Sequence, residues 1–197
     1  MMRSRISTSN VEWASVGRSR RRFLVTAANV PVAIGGWALA GRAWAQPASA
    51  AAEEAQAPPL PALGAELRVP SIALLDGSVF DADRRPARPL LIYWWASICP
   101  FCALQSPHME TFWRKHRGQI DFLGLSIDRH ADLAHQYLIR RGYTFPSAWT
   151  SPQWRQGFPK PKGLPITLLL DAAGRVRAAE QGQMFAEDIE ALADLVA

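Results

Sequence analysis

The sequence predicts an α/β domain of three layers over residues 63–197, and three observations carry that prediction. Residues 90–96, Leu-Leu-Ile-Tyr-Trp-Trp-Ala, form an unbroken apolar run, the mark of a strand buried on both faces. Further apolar runs at 120–127 and 166–170 alternate with stretches of helical character. After the last of them, Asp171-Ala172-Ala173-Gly174 turns the chain back into a closing hairpin.

Taken in order, residues 66–80 read as short strands joined by a hairpin turn at Asp76-Gly77. The central strand 90–96 follows. A helix is predicted to begin near Pro100, because the missing N–H of proline has no partner in a first turn anyway, and to run to about Arg117 with a kink at Pro107. Residues 120–127 form the second central strand, and residues 131–141 a helix stopped by Gly142. Residues 166–170 and 175–180 pair as the hairpin. Residues 186–196 close the chain as an amphipathic helix with Ile189, Leu192 and Leu195 at helical spacing.

Ahead of this domain, residues 46–62 are Ala, Pro, Glu, Gln and Ser with almost nothing to bury, and read as a linker. Residues 1–45 read as an export signal. Ser19-Arg20-Arg21-Arg22-Phe23-Leu24 resembles the bacterial twin-arginine motif. A weakly hydrophobic stretch, 23–41, follows it, and Ala43-Trp44-Ala45 offers a small-x-small cleavage site before Gln46. Cleavage after Ala45 is the favoured reading, and retention of 23–41 as an N-terminal anchor the alternative. The domain is then expected in the periplasm, touching the membrane only through an uncleaved signal.

The formal charge of +5 invites a nucleic-acid partner, but seven of the 22 basic residues lie in 1–45 against one acid, Glu12. Residues 46–197 therefore hold 15 basic and 16 acidic residues, and the electrostatic footprint of nucleic-acid binding is absent. The cluster Arg114, Lys115, Arg117 reads as the solvated C-terminal end of a helix, where cations meet the dipole favourably.

Cys99 and Cys102 are the only two cysteines, placed where the central strand gives way to the helix. A bond between them closes so small a loop that it removes little unfolded-state entropy and makes a poor staple. A disulfide that adds little stability can be broken and remade without unfolding, which is what thiol-disulfide exchange requires. A bare Cys-x-x-Cys could also be half of a metal site.

The combination is more specific than its parts. Tyr93-Trp94-Trp95-Ala96-Ser97-Ile98-Cys99-Pro100-Phe101-Cys102 with Pro107, then Gly163-Leu164-Pro165-Ile166-Thr167-Leu168-Leu169-Leu170-Asp171 with Gly174, resembles the thioredoxin superfamily, and within it the exported TlpA-like thiol-disulfide oxidoreductases. The resemblance spans about residues 65–197 and implies a thioredoxin-like fold on a central mixed sheet. Residues 66–80 would be its N-terminal strand and hairpin extension, and residues 127–149 the insertion typical of TlpA-like members. It implies that Cys99 sits at the mouth of the helix as the nucleophile, its thiolate favoured by the helix terminus, with Cys102 deeper as the resolving thiol. It also implies a cis Pro165 that sets backbone groups of Leu164 against the pair to bind an extended substrate, with Trp95, Pro100 and Phe101 lining the mouth. The expected partners are protein thiols and disulfides and a membrane thiol-electron donor. No cofactor is expected.

Two departures bear on tuning. Tyr93 stands where thioredoxins have a buried aspartate, and Gln105 where TlpA-like reductases usually have glutamate, so neither usual proton acceptor is present. A glutamine there can hydrogen-bond a thiol but cannot take its proton. The reading is an exported thiol-disulfide oxidoreductase of reductase type, in cytochrome c maturation or disulfide repair. The alternatives are a thiol-oxidising member of the same fold, or a Cu(I)-binding or adaptor module using the two thiols. Metal ligation by Cys99, Cys102 and His108 is disfavoured because helical phase turns His108 away from Cys102. Peroxidase chemistry is disfavoured because Ala96 stands where a peroxide-activating threonine would be.

Overall fold

The computed structural model describes residues 50–84 and 87–196. The expected signal, its twin-arginine motif and its cleavage site lie outside the described residues. A five-stranded mixed sheet forms the centre, in the order β5-β4-β3-β6-β7. β3 (Leu90–Trp95) runs parallel to β4 (Asp121–Ser126), which runs parallel to β5 (Ser147–Trp149). β6 (Ile166–Leu170) is antiparallel to β3, and β7 (Val176–Gln181) antiparallel to β6. Helix α2 (Pro100–His116) links β3 to β4, and α3 (Ala131–Arg141) links β4 to β5.

All six residues of β3 are buried, as an apolar run flanked by strands on both edges requires. Alternate side chains serve opposite layers. Leu91, Tyr93 and Trp95 join α2, α3 and α5 (Ala186–Ala191) in one cluster. Leu90, Ile92 and Trp94 join the other, where Trp94 stacks on Phe158 and meets Trp154 of α4 (Pro152–Gly157). Gly124 of β4 lies opposite Tyr93, and a Cβ there would stand 2.2 Å from Ser147 Oγ, so glycine is what lets β5 and the aromatic layer close over this strand.

Helix α2 is fixed along its length. Glu110 accepts from the Thr144 N–H at 2.7 Å and the Phe145 N–H at 3.1 Å, and its carboxylate also pairs with Arg114. At the far end Lys115 and His116 both reach Glu190 of α5.

The structure departs from expectation in four places. Residues 66–69 make a single bridge, Glu66 to Arg175, because Pro70 cannot continue a ladder. The hairpin is confined to β1 (Ile72–Ala73) and β2 (Val79–Phe80). Helix α4 was not predicted, although Ser151 followed by Pro152 is a cap followed by a favourable first residue, and Ser151 Oγ does accept from the Trp154 N–H at 3.1 Å. The last helix is α-helical only to Ala191 and tightens into a 3₁₀ turn over Leu192–Leu195, leaving Leu195 exposed. Finally, the stretch read as a linker contains helix α1 (Ala50–Gln56), which is bonded to the domain.

Candidate active site

β3 delivers the chain to its carboxyl end at Ala96, where a tight turn, with Cys99 N–H donating to the Ala96 carbonyl at 3.1 Å, leads into α2. Cys99 occupies the N-cap in an extended conformation, and Pro100 takes the first helical position. The Cys99 Sγ accepts the Cys102 N–H at 3.1 Å, so the sulfur does the work that a serine or aspartate oxygen does in an ordinary cap. Cys99 and Cys102 are joined as a disulfide with their Cα atoms 5.2 Å apart. Cys99 is half-buried and Cys102 is fully buried.

The start of β6 lies beside the end of β3 because the two strands are antiparallel, with Trp94 opposite Ile166. This brings the Leu164-Pro165 peptide, which is cis, to the cysteine end of the sheet. Cys99 and Leu164 both pack at the margin of the cluster that contains Cys102.

Tyr93 sits beneath the first turn of α2. Its hydroxyl donates to the Cys102 carbonyl at 3.2 Å and lies 3.1 Å from Ser106 Oγ, which donates to the same carbonyl at 2.7 Å. Burial pushes the phenol well above its ordinary range, so it remains a protonated donor. Gln105 is fully buried, and both ends of its amide are engaged away from the sulfur. Its Nε2 donates to Thr167 Oγ1 at 3.0 Å, and its Oε1 accepts the Met184 N–H at 2.8 Å. Gln105 thereby ties α2 to β6 and to the approach to α5.

Of the residues expected to line the mouth, Phe101 is 56% exposed and Pro100 is exposed. Trp95 is a correction. It has no exposed surface, because the inward face of β3 turns its ring onto Tyr137 and Phe145, and it cannot touch a partner. Ile98, next to Cys99 in the chain, is 88% exposed, and Leu104 of α2 is 56% exposed. From Pro89 to Pro107 and from Gly163 to Leu170 the chain itself has no charged residue and no histidine.

One residue escaped the sequence reading. Asp128 is buried, and both of its carboxylate oxygens accept the Ser97 N–H at 3.1 Å. Ser97 Oγ donates to it at 2.7 Å and Ser126 Oγ at 2.8 Å. It thereby pins the turn that carries Cys99 to the end of β4. The available signal was its position just past the carboxyl end of a central strand, where α/β sheets assemble their sites.

Two clefts of about 570 Å³ and 460 Å³ open elsewhere on the molecule, and neither is lined by Cys99, Cys102 or Pro165. Among the described residues, no group of three or more His, Cys, Asp or Glu side chains could hold a metal ion, and no helix is long and apolar enough to cross a membrane.

Residues 71–147 match the thioredoxin family model. The chain is 29% identical over 146 residues to the thiol:disulfide interchange protein HelX of Rhodobacter capsulatus, covering 74% of this chain and 75% of that protein. It is 20% identical over 123 residues to the thiol-disulfide oxidoreductase ResA of Halalkalibacterium halodurans, covering 62% and 70%. Among solved structures, a thioredoxin-family thiol:disulfide interchange protein from Chlorobium tepidum superposes with a TM-score of 0.62 at 18% identity, covering 69% of this chain and 98% of that one. StoA from Bacillus subtilis superposes with a TM-score of 0.56 at 17% identity, covering 68% and 99%.

Proposed function

The chain is a thiol-disulfide oxidoreductase of the thioredoxin superfamily, and from that premise we propose that it is an exported, reductase-type enzyme acting on cysteines of protein substrates. The observation that carries this reading is the placement of the Cys99 sulfur as the cap of α2, half-exposed above a buried Cys102. A sulfur at a helix N-terminus is favoured as the thiolate, so Cys99 is assigned as the nucleophile that attacks a substrate disulfide. The leaving substrate sulfur takes a proton, and Cys102, once deprotonated, attacks Cys99 Sγ to release the second substrate sulfur and close the Cys99-Cys102 disulfide. Leu164 and Pro165 are assigned as the facing wall. The exposed Ile98, Pro100 and Phe101 suit an unstructured apolar segment around the substrate cysteine.

The local sequence around the sulfur supports the reductase direction. Strong oxidants of this fold stabilise the reduced thiolate heavily, whereas here the neighbouring sequence 89–107 supplies no cation, and stabilisation is left to the helix terminus. Neither Tyr93 nor Gln105 can take the Cys102 proton, so that step passes to water or to substrate. The twin-arginine-type leader supports a periplasmic site of action, which requires electrons from a membrane thiol donor.

Equilibration with glutathione tests the reading. The reduction potential is expected nearer to about −270 mV than to about −120 mV, with the Cys99 pKa below the free-thiol value of about 8.5. A potential at the oxidising end would make the protein a thiol oxidant. An ordinary Cys99 pKa combined with tight Cu(I) binding would replace the enzyme reading with a metal-binding one.

A further inference from the structure

Helix α1 sends one carboxylate to α4 and one to the loop that leads into the cis proline. Glu53 pairs with Arg155 at 3.1 Å. Glu54 Oε2 accepts from Lys160 Nζ at 3.0 Å, while its Oε1 accepts the Gly163 N–H at 2.6 Å. Lys160 Nζ also donates to the carbonyls of Pro161 at 2.7 Å and Gly163 at 2.9 Å, so its three N–H groups are all used, and its side chain is only 10% exposed. Nearby, the Lys162 N–H donates to the Pro58 carbonyl at 2.9 Å. One ion pair thus holds both backbone polar groups of Gly163. Burial pushes the Glu54 carboxyl up, but the Gly163 N–H and Lys160 outweigh it and keep the group below its usual range, as a carboxylate held by two donors should be.

What Gly163 shares with its neighbour gives this contact a consequence. Its carbonyl and the Leu164 N–H belong to one planar peptide unit and point in opposite directions. A cation bonded to the oxygen fixes the plane, and by polarising the amide it strengthens the donor at the other end. We propose that Glu54 and Lys160 are a positioning pair that aims the Leu164 N–H at an extended substrate, so that the segment ahead of the domain takes part in substrate recognition. The proposal rests on the reading of Leu164 as a substrate contact. The pair acts through Gly163 and not on the sulfurs.

The test uses the full chain and two substrates, a disulfide-bonded peptide and the small 2-hydroxyethyl disulfide, which is too short to lie along Leu164. Glu54→Ala is expected to raise the KM for the peptide on the order of fivefold relative to that for the small disulfide, without a matching fall in kcat. Lys160→Met should behave alike, and Glu54→Gln, which keeps an oxygen for the Gly163 N–H but loses the charge, should fall between. Equal changes for both substrates, or none, would overturn the proposal. Amide exchange separates it from the reading beneath it. In Cys102→Ser protein trapped as a Cys99 mixed disulfide with the peptide, the Leu164 amide should exchange more slowly than in the free protein, and Glu54→Ala should reverse much of that slowing. No slowing at all would remove Leu164 as a contact, and the proposal with it. Slowing that is indifferent to Glu54 would keep the contact and reject the positioning pair.

Discussion

The two loops that meet at the redox site are held in opposite ways. The turn carrying Cys99 is fastened from inside the domain by Asp128, a buried carboxylate on the end of the neighbouring strand. The loop leading into Pro165 is fastened from outside by Lys160 and Glu54, whose side chain is 40% exposed and belongs to a helix preceding the domain. The difference teaches that the position of the attacking sulfur is a property of the core, whereas the opposite wall is open to adjustment by its surroundings. A partly exposed ion pair is screened by salt, and a buried hydrogen-bonded carboxylate is much less so.

The contrast can be broken most forcefully on the cysteine side. Asp128→Ala leaves the Ser97 N–H and two serine hydroxyls short of an acceptor, and is expected to cost about 2–4 kcal/mol in urea unfolding, since bonds to a charged group are among the stronger ones. It should also slow single-turnover attack by Cys99, and an unchanged rate in folded Asp128→Ala protein would mean that the turn needs no such fastening. A second effect is expected from Glu110, which holds the other end of α2. Burial raises its carboxyl, but the Thr144 N–H and hydroxyl, Arg114 and the Phe145 N–H outweigh that and leave it below the ordinary value of 4.5. Its contribution to stability is therefore complete above the unfolded-state value and is lost as pH falls through the lower folded-state one. Wild-type Tm should drop more steeply below that point than the Tm of Glu110→Gln; parallel curves would remove the assignment.

Smaller changes sharpen the comparison. Gln105→Glu keeps an acceptor for the Met184 N–H but loses the donor to Thr167, at a cost of about 1 kcal/mol, and it places a titratable group in α2 beneath the site. The exchange rate should then acquire a pH-dependent limb that wild type lacks, and matching pH profiles would show that residue 105 has no part in proton transfer. Tyr93→Phe should cost about 1 kcal/mol or less, because Ser106 still donates to the Cys102 carbonyl. The smallest effect is that of salt: at high ionic strength the KM for a peptide substrate should rise by about twofold or less, through the Glu54 side alone.

Local information made the sheet and the cysteines legible. The apolar run at 90–96 could only be a central strand, and Gly142 ends α3 in the left-handed conformation that its position suggested. The cis peptide at Pro165 and the pair at Cys99 and Cys102 came through motifs whose parts are short. Illegible were contacts whose partners lie far along the chain. Gln105 bonds Thr167 and Met184, and Asp128 bonds Ser97, so composition near either residue says nothing of what it faces. Trp95 misled for a different reason. In a strand apolar on both faces the alternation carries no contrast, and the side chain turned inward cannot be told from one turned toward the site. Glu53 and Glu54 misled because an Ala- and Glu-rich stretch reads as solvated, and only the fold brings Arg155 of α4 and Lys160 of the following loop to them as cations.

The burial of β3 has a consequence for the protein's breathing. Leu90–Trp95 is bonded to neighbours along both edges and is the floor on which the cysteine turn stands. Its amides should exchange with deuterium only when the whole domain opens, whereas those of α1, tied mainly by partly exposed ion pairs, should exchange through local opening. Helix α1 is therefore expected to open and close many times for each opening of the cysteine platform.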